Sequence, residues 1–258
     1  MSQITVDKTL CLKDGLCVDV CSSRALILGV DGFPEEVAGR TCNLCGHCTT
    51  VCVCEALAHT GLPPEPSAPA ARELPAPALI DGFLLSRRSV REFKDQPVAR
   101  ETLESLLDVA RHAPTASNTQ KLHWIVVDGA EKVRALSAVT MDWARQAAPQ
   151  AVEFWQTGYD LILRGAPAVV VASAPADYIW GAQDCAIALT FLELAAEARG
   201  LGACWTGYLT RAAAADARVR RALSLPEGYV VNGGLMLGRP KYKYQRVPPR
   251  KPLSAQWI

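Results

Sequence analysis

Cys42-Asn43-Leu44-Cys45-Gly46-His47-Cys48-Thr49-Thr50-Val51-Cys52 is the stretch on which the reading of this chain turns. Its cysteines follow the spacing C-x2-C-x2-C-x3-C. Three thiolates so placed can close round one iron–sulfur cluster while the fourth reaches a neighbouring one. Upstream, Cys11-Leu12-Lys13-Asp14-Gly15-Leu16-Cys17-Val18-Asp19-Val20-Cys21 has the same spacing, with Asp14 where the second cysteine belongs. Eight of the ten cysteines lie between Cys11 and Cys54. A disulfide framework needs an oxidising, secreted setting and usually a short chain, and neither applies. Zinc competes more seriously, because C-x2-C pairs bind it well, but zinc sites close on four ligands that usually come as two separated pairs. The compact run follows the cluster pattern better, so the chain reads first as a redox protein.

Working outward, 258 residues exceed what a small cluster-binding unit needs and suggest a second domain of ordinary size. Half of the residues are hydrophobic and the formal net charge is +1. That balance gives no support for a nucleic-acid or anionic-membrane surface. The N-terminus, Met1 to Asp7, lacks the basic and apolar regions of a signal peptide, and no apolar run is long enough to span a bilayer. A cytoplasmic location is the expectation.

Three segments follow. Residues 1–60 are cysteine-rich. Residues 61–78 hold six prolines and read as an extended, semi-rigid linker. Residues 79–258 alternate helical and strand patterns. Leu103, Leu106, Leu107 and Ala110 predict an amphipathic helix over 100–112. Trp124–Val127 and Pro167–Ala172 predict short buried strands. Residues 182–199 predict a helix apolar nearly all round, capped by Gly200 and buried in a core or a subunit interface. Val230–Leu237 predicts one strand interrupted by Gly233-Gly234, as a bulge or a close approach. The class is α+β or α/β, with helices covering a small sheet.

The cysteine segment resembles the bacterial two-cluster ferredoxin, in which the last cysteine of each motif crosses to the other cluster. The resemblance implies that Cys11, Asp14, Cys17 and Cys52 hold one cluster and that Cys42, Cys45, Cys48 and Cys21 hold the other. Two [4Fe–4S] clusters are implied, the one at Asp14 being either a four-iron centre with a hard oxygen ligand or a three-iron centre with an empty corner. Ser22 and Val53 replace the prolines expected after each motif. Cys54 is an extra thiol, either the missing ligand or, as preferred here, a packed thiol.

Three further stretches carry a second resemblance: Ser86-Arg87-Arg88-Ser89-Val90-Arg91-Glu92-Phe93, Ala113-Pro114-Thr115-Ala116-Ser117-Asn118-Thr119-Gln120 and Gly200-Leu201-Gly202-Ala203-Cys204-Trp205-Thr206-Gly207-Tyr208. Together they resemble the nitroreductase family, flavin enzymes that bind FMN at a homodimer interface. The implied fold is an α+β nitroreductase-like FMN domain, a small sheet covered by helices in an intertwined homodimer, with a small N-terminal ferredoxin-like domain. Arg87, Arg88, Ser89 and Arg91 then suit the phosphate and ribityl chain, since arginine makes forked bonds to phosphate oxygens. Pro114, Thr115 and Ala116 would reach the flavin of the other subunit, and Asn118 and Gln120 would bond the ring edge. Cys204, Trp205, Thr206 and Gly207 would run across one flavin face, where a backbone N–H stabilises the negative charge of the reduced ring. Arg246, in a closing element from Gly238 to Pro248, would bind the terminal phosphate. The alternatives are a basic surface turn for the first stretch, a polar turn leading into the Trp124 strand for the second, a packed small residue for Cys204 and a basic surface tail for the closing element.

No side chain is assigned as a catalyst, because a flavin carries its own chemistry. The implied function is an oxidoreductase passing electrons between a low-potential donor, two clusters and FMN to a small acceptor such as a nitroaromatic or quinone. The donor would be an external ferredoxin or another low-potential protein, or NAD(P)H acting on the flavin, and the direction of flow stays open. Met141-Asp142-Trp143 and Trp155 are candidates for the acceptor site, or else core contacts. The alternative function is an electron-carrier or redox-sensing module without its own substrate turnover.

Overall fold

A computed structural model describes residues 3–63, 67–71 and 73–258. Met1, Ser2, the linker residues Pro64, Glu65 and Pro66, and Arg72 lie outside the described residues. The chain divides into two compact units. The first comprises Met1–Leu74 together with Thr115–Thr119, and the second Pro75–Pro114 and Gln120–Ile258.

The first unit contains β1 (Ile4–Val6), α1 (Leu16–Asp19), β2 (Leu26–Leu28), β3 (Pro34–Glu36), α2 (His47–Thr50) and β4 (Leu57–His59). It is built twice over, at a constant offset of 31 residues: Cys11 answers to Cys42 and Cys21 to Cys52. Each half turns into its short helix through a glycine in the left-handed region, Gly15 at φ 75° and Gly46 at φ 74°. A side chain at either place would be strained. The equivalence extends to residues where such a φ is uncommon: Lys13 (58°) with Leu44 (54°), and Arg24 (51°) with Glu55 (52°). The strands exchange between halves, β1 pairing antiparallel with β4 and β2 with β3. Ala25 and Leu26 are buried in one half, Ala56 and Leu57 in the other. Duplication of the spacing is therefore duplication of the fold.

The second unit contains α3 (Pro77–Ser86), α4 (Arg100–Ala110), β5 (His123–Asp128), α5 (Ala130–Ala147), α6 (Pro149–Gln156), β6 (Ala168–Pro175), α7 (Gly181–Ala198), β7 (Gly202–Trp205), α8 (Gly207–Ala215), α9 (Ala217–Ala222) and β8 (Tyr229–Gly238). Its sheet is antiparallel in the order β5-β6-β8-β7. Strand β6 is a continuous apolar run because both its faces are covered. Val170, Ala172, Leu235 and Leu237 face a core shared with Leu106 of α4 and Leu189 and Leu192 of α7. Val169, Val171 and Met236 face the opposite core, shared with Leu136 of α5, Ala151 of α6 and Leu209 of α8.

The expected bulge is present: between Ala172 and Ser173 the register steps from Gly233 to Val231, leaving Asn232 as the extra residue of β8. Strand β5 differs from the expectation of a buried strand. It lies at the sheet edge and is only half-buried. Helix α3 begins inside the stretch assigned to the linker, because Pro77 suits a first helical position. It buries none of its residues, and Leu79, Ile80, Leu84 and Leu85 stay exposed. Among the described residues no helix is long and apolar enough to cross a membrane.

Candidate functional site

In the first unit, Cys11, Asp14, Cys17 and Cys52 line one cavity, together with Cys54 and Leu57. Cys21, Cys42, Cys45 and Cys48 line another, together with Ser23 and His47. These groupings match the two crossed sets that the ferredoxin resemblance implied, and strands of the two halves pair between them. The second cavity measures about 790 Å³. The first is closed to about 20 Å³, and across it Cys52 Sγ and Cys54 Sγ stand 3.6 Å apart.

Electrostatics agree with convergence. Burial pushes the Cys17 thiol up, and Cys11 and Cys52 push it the same way. Burial likewise raises Cys48, with Cys42 and Cys45 adding to it. Burial also pushes Cys21 upward, but hydrogen bonds from Ser23 and from backbone N–H groups outweigh it, so the net shift is downward. The N–H of Ala25 donates to Cys21 Sγ at 3.2 Å, and its counterpart Ala56 donates to Cys52 Sγ at 3.3 Å. The N–H of Leu44 reaches Cys42 Sγ at 3.3 Å. Such donors favour sulfur in its anionic form. Among the described residues no three His, Cys, Asp or Glu side chains gather closely enough to hold a single metal ion. Thiols are soft ligands of the kind that both zinc and iron–sulfur clusters take.

In the second unit the residues assigned to a flavin sort into three groups. Arg91, Cys204, Trp205 and Gly207 line one cavity of about 320 Å³. Local pairing puts them there: Ser89 bridges Ala203, and Val90 N–H donates to Ala203 O at 2.8 Å, which lays Arg91 along β7. Arg164, Arg211 and Tyr208 line the same cavity and were missed in the sequence. Two further guanidiniums make the recess strongly cationic. Arg164 stands at φ 59° after a turn held by Asp160 Oδ1, which accepts from the N–H groups of Ile162 and Leu163. A polar turn before an apolar strand was the available signal.

Thr206 lies beside this recess, ahead of α8. Its buried hydroxyl has no hydrogen-bond partner among the described residues. A Cβ built on Gly207 would meet nothing within 4 Å, so the first turn of α8 opens on free space. Helix N-termini offer unpaired N–H groups to negative charge. The Cys204 thiol is buried and pushed up by that burial, while Arg91 and Arg164 pull it down. Orphan donors, a cationic wall and an open helix end together fit an anionic, ring-bearing cofactor such as FMN.

The second group is held elsewhere. Arg87 Nη1 bonds Glu193 Oε1 at 2.9 Å. Arg88 donates to the carbonyl oxygens of Leu85 and Ser86, closing the end of α3. Arg246 stands on an exposed tail with Arg250 and Lys251 beyond it. The third group is divided between the units. Pro114 and Gln120 belong to the second, whereas Thr115, Ala116 and Asn118 belong to the first. There Asn118 Nδ2 donates to the carbonyl oxygens of Asn43 (3.1 Å) and Leu44 (2.9 Å), in the loop between Cys42 and Cys45. Of the acceptor candidates, Met141 is buried and Trp155 packs against the core, while Trp143 lies under Arg211, 5.3 Å from its guanidinium.

The model of the family described as "Nitroreductase family" matches residues 84–239. A protein of Archaeoglobus fulgidus, whose name proposes an NADH dehydrogenase or NAD(P)H nitroreductase, is 32% identical over 62% of this chain and 84% of its own. The FMN reductase [NAD(P)H] of Bacillus subtilis is 28% identical over 67% of this chain and 70% of its own. A solved nitroreductase with bound FMN from Desulfitobacterium hafniense is 25% identical, with a TM-score of 0.58, over 69% of this chain and 96% of that one. With the sheet, the cationic recess and a family match over more than half of its length, the chain belongs to the nitroreductase family.

Proposed function

We propose that this protein is an iron–sulfur flavoprotein oxidoreductase. Its second unit binds FMN within a homodimer, and its first unit holds two iron–sulfur clusters. The chain passes electrons between a low-potential donor and a small acceptor such as a nitroaromatic or a quinone. The observation that carries the reading is the sorting of the N-terminal cysteines into two crossed sets, each lining one cavity, in a chain whose other unit is a nitroreductase domain. The named relatives support flavin and NAD(P)H chemistry. Exposed apolar residues on α3, with Ile187 and Phe191 on α7, support a second copy of the chain as partner.

When bound, FMN would supply hydride or stepwise electron transfer, and the clusters would supply one-electron carriers. The protein's part is to bind and to hold charge. Arg91, Arg164 and Arg211 place positive charge around the recess. The first turn of α8 offers donors to a ring that gains negative charge on reduction. Around the cysteines, the N–H groups of Ala25, Leu44 and Ala56 stabilise anionic sulfur. No proton donor is required of a side chain in this scheme.

The test is anaerobic single turnover. Protein reduced without air and mixed with a nitroaromatic or a quinone should return its flavin absorbance to the oxidised form. A flavin that stays reduced with both acceptors would show that the chain does not turn them over.

A further inference from the structure

The internal duplication assigns a partner to Cys54. In the second cavity the place 31 residues earlier is held by Ser23, whose Oγ lies 3.6 Å from Cys21 Sγ. In the first cavity Cys54 Sγ lies 3.6 Å from Cys52 Sγ. The two pairs occupy equivalent positions, so the exchange is chemical rather than architectural. Where the cavity has all four cysteines, the flanking residue is serine. Where the cavity has Asp14 in place of one, the flanking residue is a cysteine facing the same recess. Asp14 is itself exposed, and its Oδ1 already accepts the N–H of Leu16 at 3.1 Å, as a turn-forming aspartate at the start of α1 does. Iron in such a site prefers soft thiolate to hard carboxylate.

We infer that Cys54, not Asp14, is the fourth protein ligand of the first iron–sulfur site, completing it as an all-cysteine set of Cys11, Cys17, Cys52 and Cys54. The inference rests on the cluster reading proposed above and adds to it. Cys54 is thereby removed from the packed thiols, among which its sequence context had placed it. Cys185 and Cys204, buried in the second unit, remain there.

The experiment compares the wild-type chain, Cys54→Ser and Asp14→Ala, each purified without air. Iron and sulfide are counted, and EPR spectra are recorded before and after reduction. Serine is the residue the other half already carries at this place, so the substitution is compatible with the backbone. The signal of the second site serves as an internal control for folding. The expected result is that Cys54→Ser loses one iron per chain and gains the signal of a three-iron centre, while Asp14→Ala matches the wild type. A three-iron signal in Asp14→Ala, or in the wild type, overturns the assignment, as does an unchanged Cys54→Ser protein. A second readout needs no variant. In the iron-loaded wild type, Cys54 should resist iodoacetamide and become alkylated once iron is chelated; alkylation of Cys54 in the loaded chain overturns the assignment. A wild-type chain without iron would instead remove the cluster reading itself.

Discussion

Inside α7, a helix that also buries Asp184, a buried glutamate sits at position 193. Burial pushes its carboxyl up, and the guanidinium of Arg87 and a hydrogen bond from Trp205 pull against that. A buried acid is tolerated only with such partners, which explains why Arg87 is held at α7 instead of lining the cationic recess with Arg91. The arginine-rich turn was legible in the sequence; its division of labour was not, because the partner lies 106 residues away. Four residues into the same helix, Cys185 gives a pH prediction. Burial pushes its thiol from 9.0 up to about 11. The folded chain therefore holds a neutral thiol at pH values where the unfolded chain has ionised it. That contribution is complete below pH 9 and is lost as pH rises through about 11. The stability advantage of wild type over Cys185→Ser should shrink by about 2–3 kcal/mol across that window, measured by denaturant unfolding. A difference independent of pH would show that the thiol ionises as freely in the fold as outside it.

Among the elements, β7 leaves no room for a side chain at Gly202. A Cβ at Gly202 would meet Val90 Cγ2 at 2.4 Å and Val90 Cβ at 2.6 Å. Val90 cannot retreat without breaking its own N–H bond to Ala203. Gly202→Ala should therefore cost about 1–3 kcal/mol in stability, by the usual penalty for overpacking. It should also weaken FMN binding, because the same pairing lays Arg91 along the recess; thermal unfolding and flavin titration check the two effects. Retained stability together with unchanged flavin affinity would separate β7 from the site. Most elements of this unit were legible, since the periodicities of α4 and α7 and the apolar run of β6 follow directly from burial. Strand β5 was misjudged as buried because Trp124 to Val127 reads as an apolar run, and a run cannot distinguish a central strand from an edge one. Helix α3 was not read, because its first two residues fall in a proline-rich stretch that reads as linker. Proline at the first helical position is compatible with both.

For the molecule as a whole, a duplicated cysteine-rich unit and a nitroreductase fold share one chain. The cysteine spacing made the duplication of the first legible, and three separated motifs made the family of the second legible. Two features were beyond the sequence. One is the membership of Thr115–Thr119 in the first unit, since its neighbours in the chain belong to the second. The other is that Cys54 and Ser23 each stand 3.6 Å from the sulfur of the cysteine two residues before them, in separate cavities. The central claim is that both kinds of redox group reside in this one protein. The measurement that tests it most directly is the iron, acid-labile sulfide and FMN content of the chain purified without air. The account predicts iron and sulfide for two clusters, together with one FMN, per chain. Flavin accompanied by zinc, or by no inorganic sulfide, would contradict it.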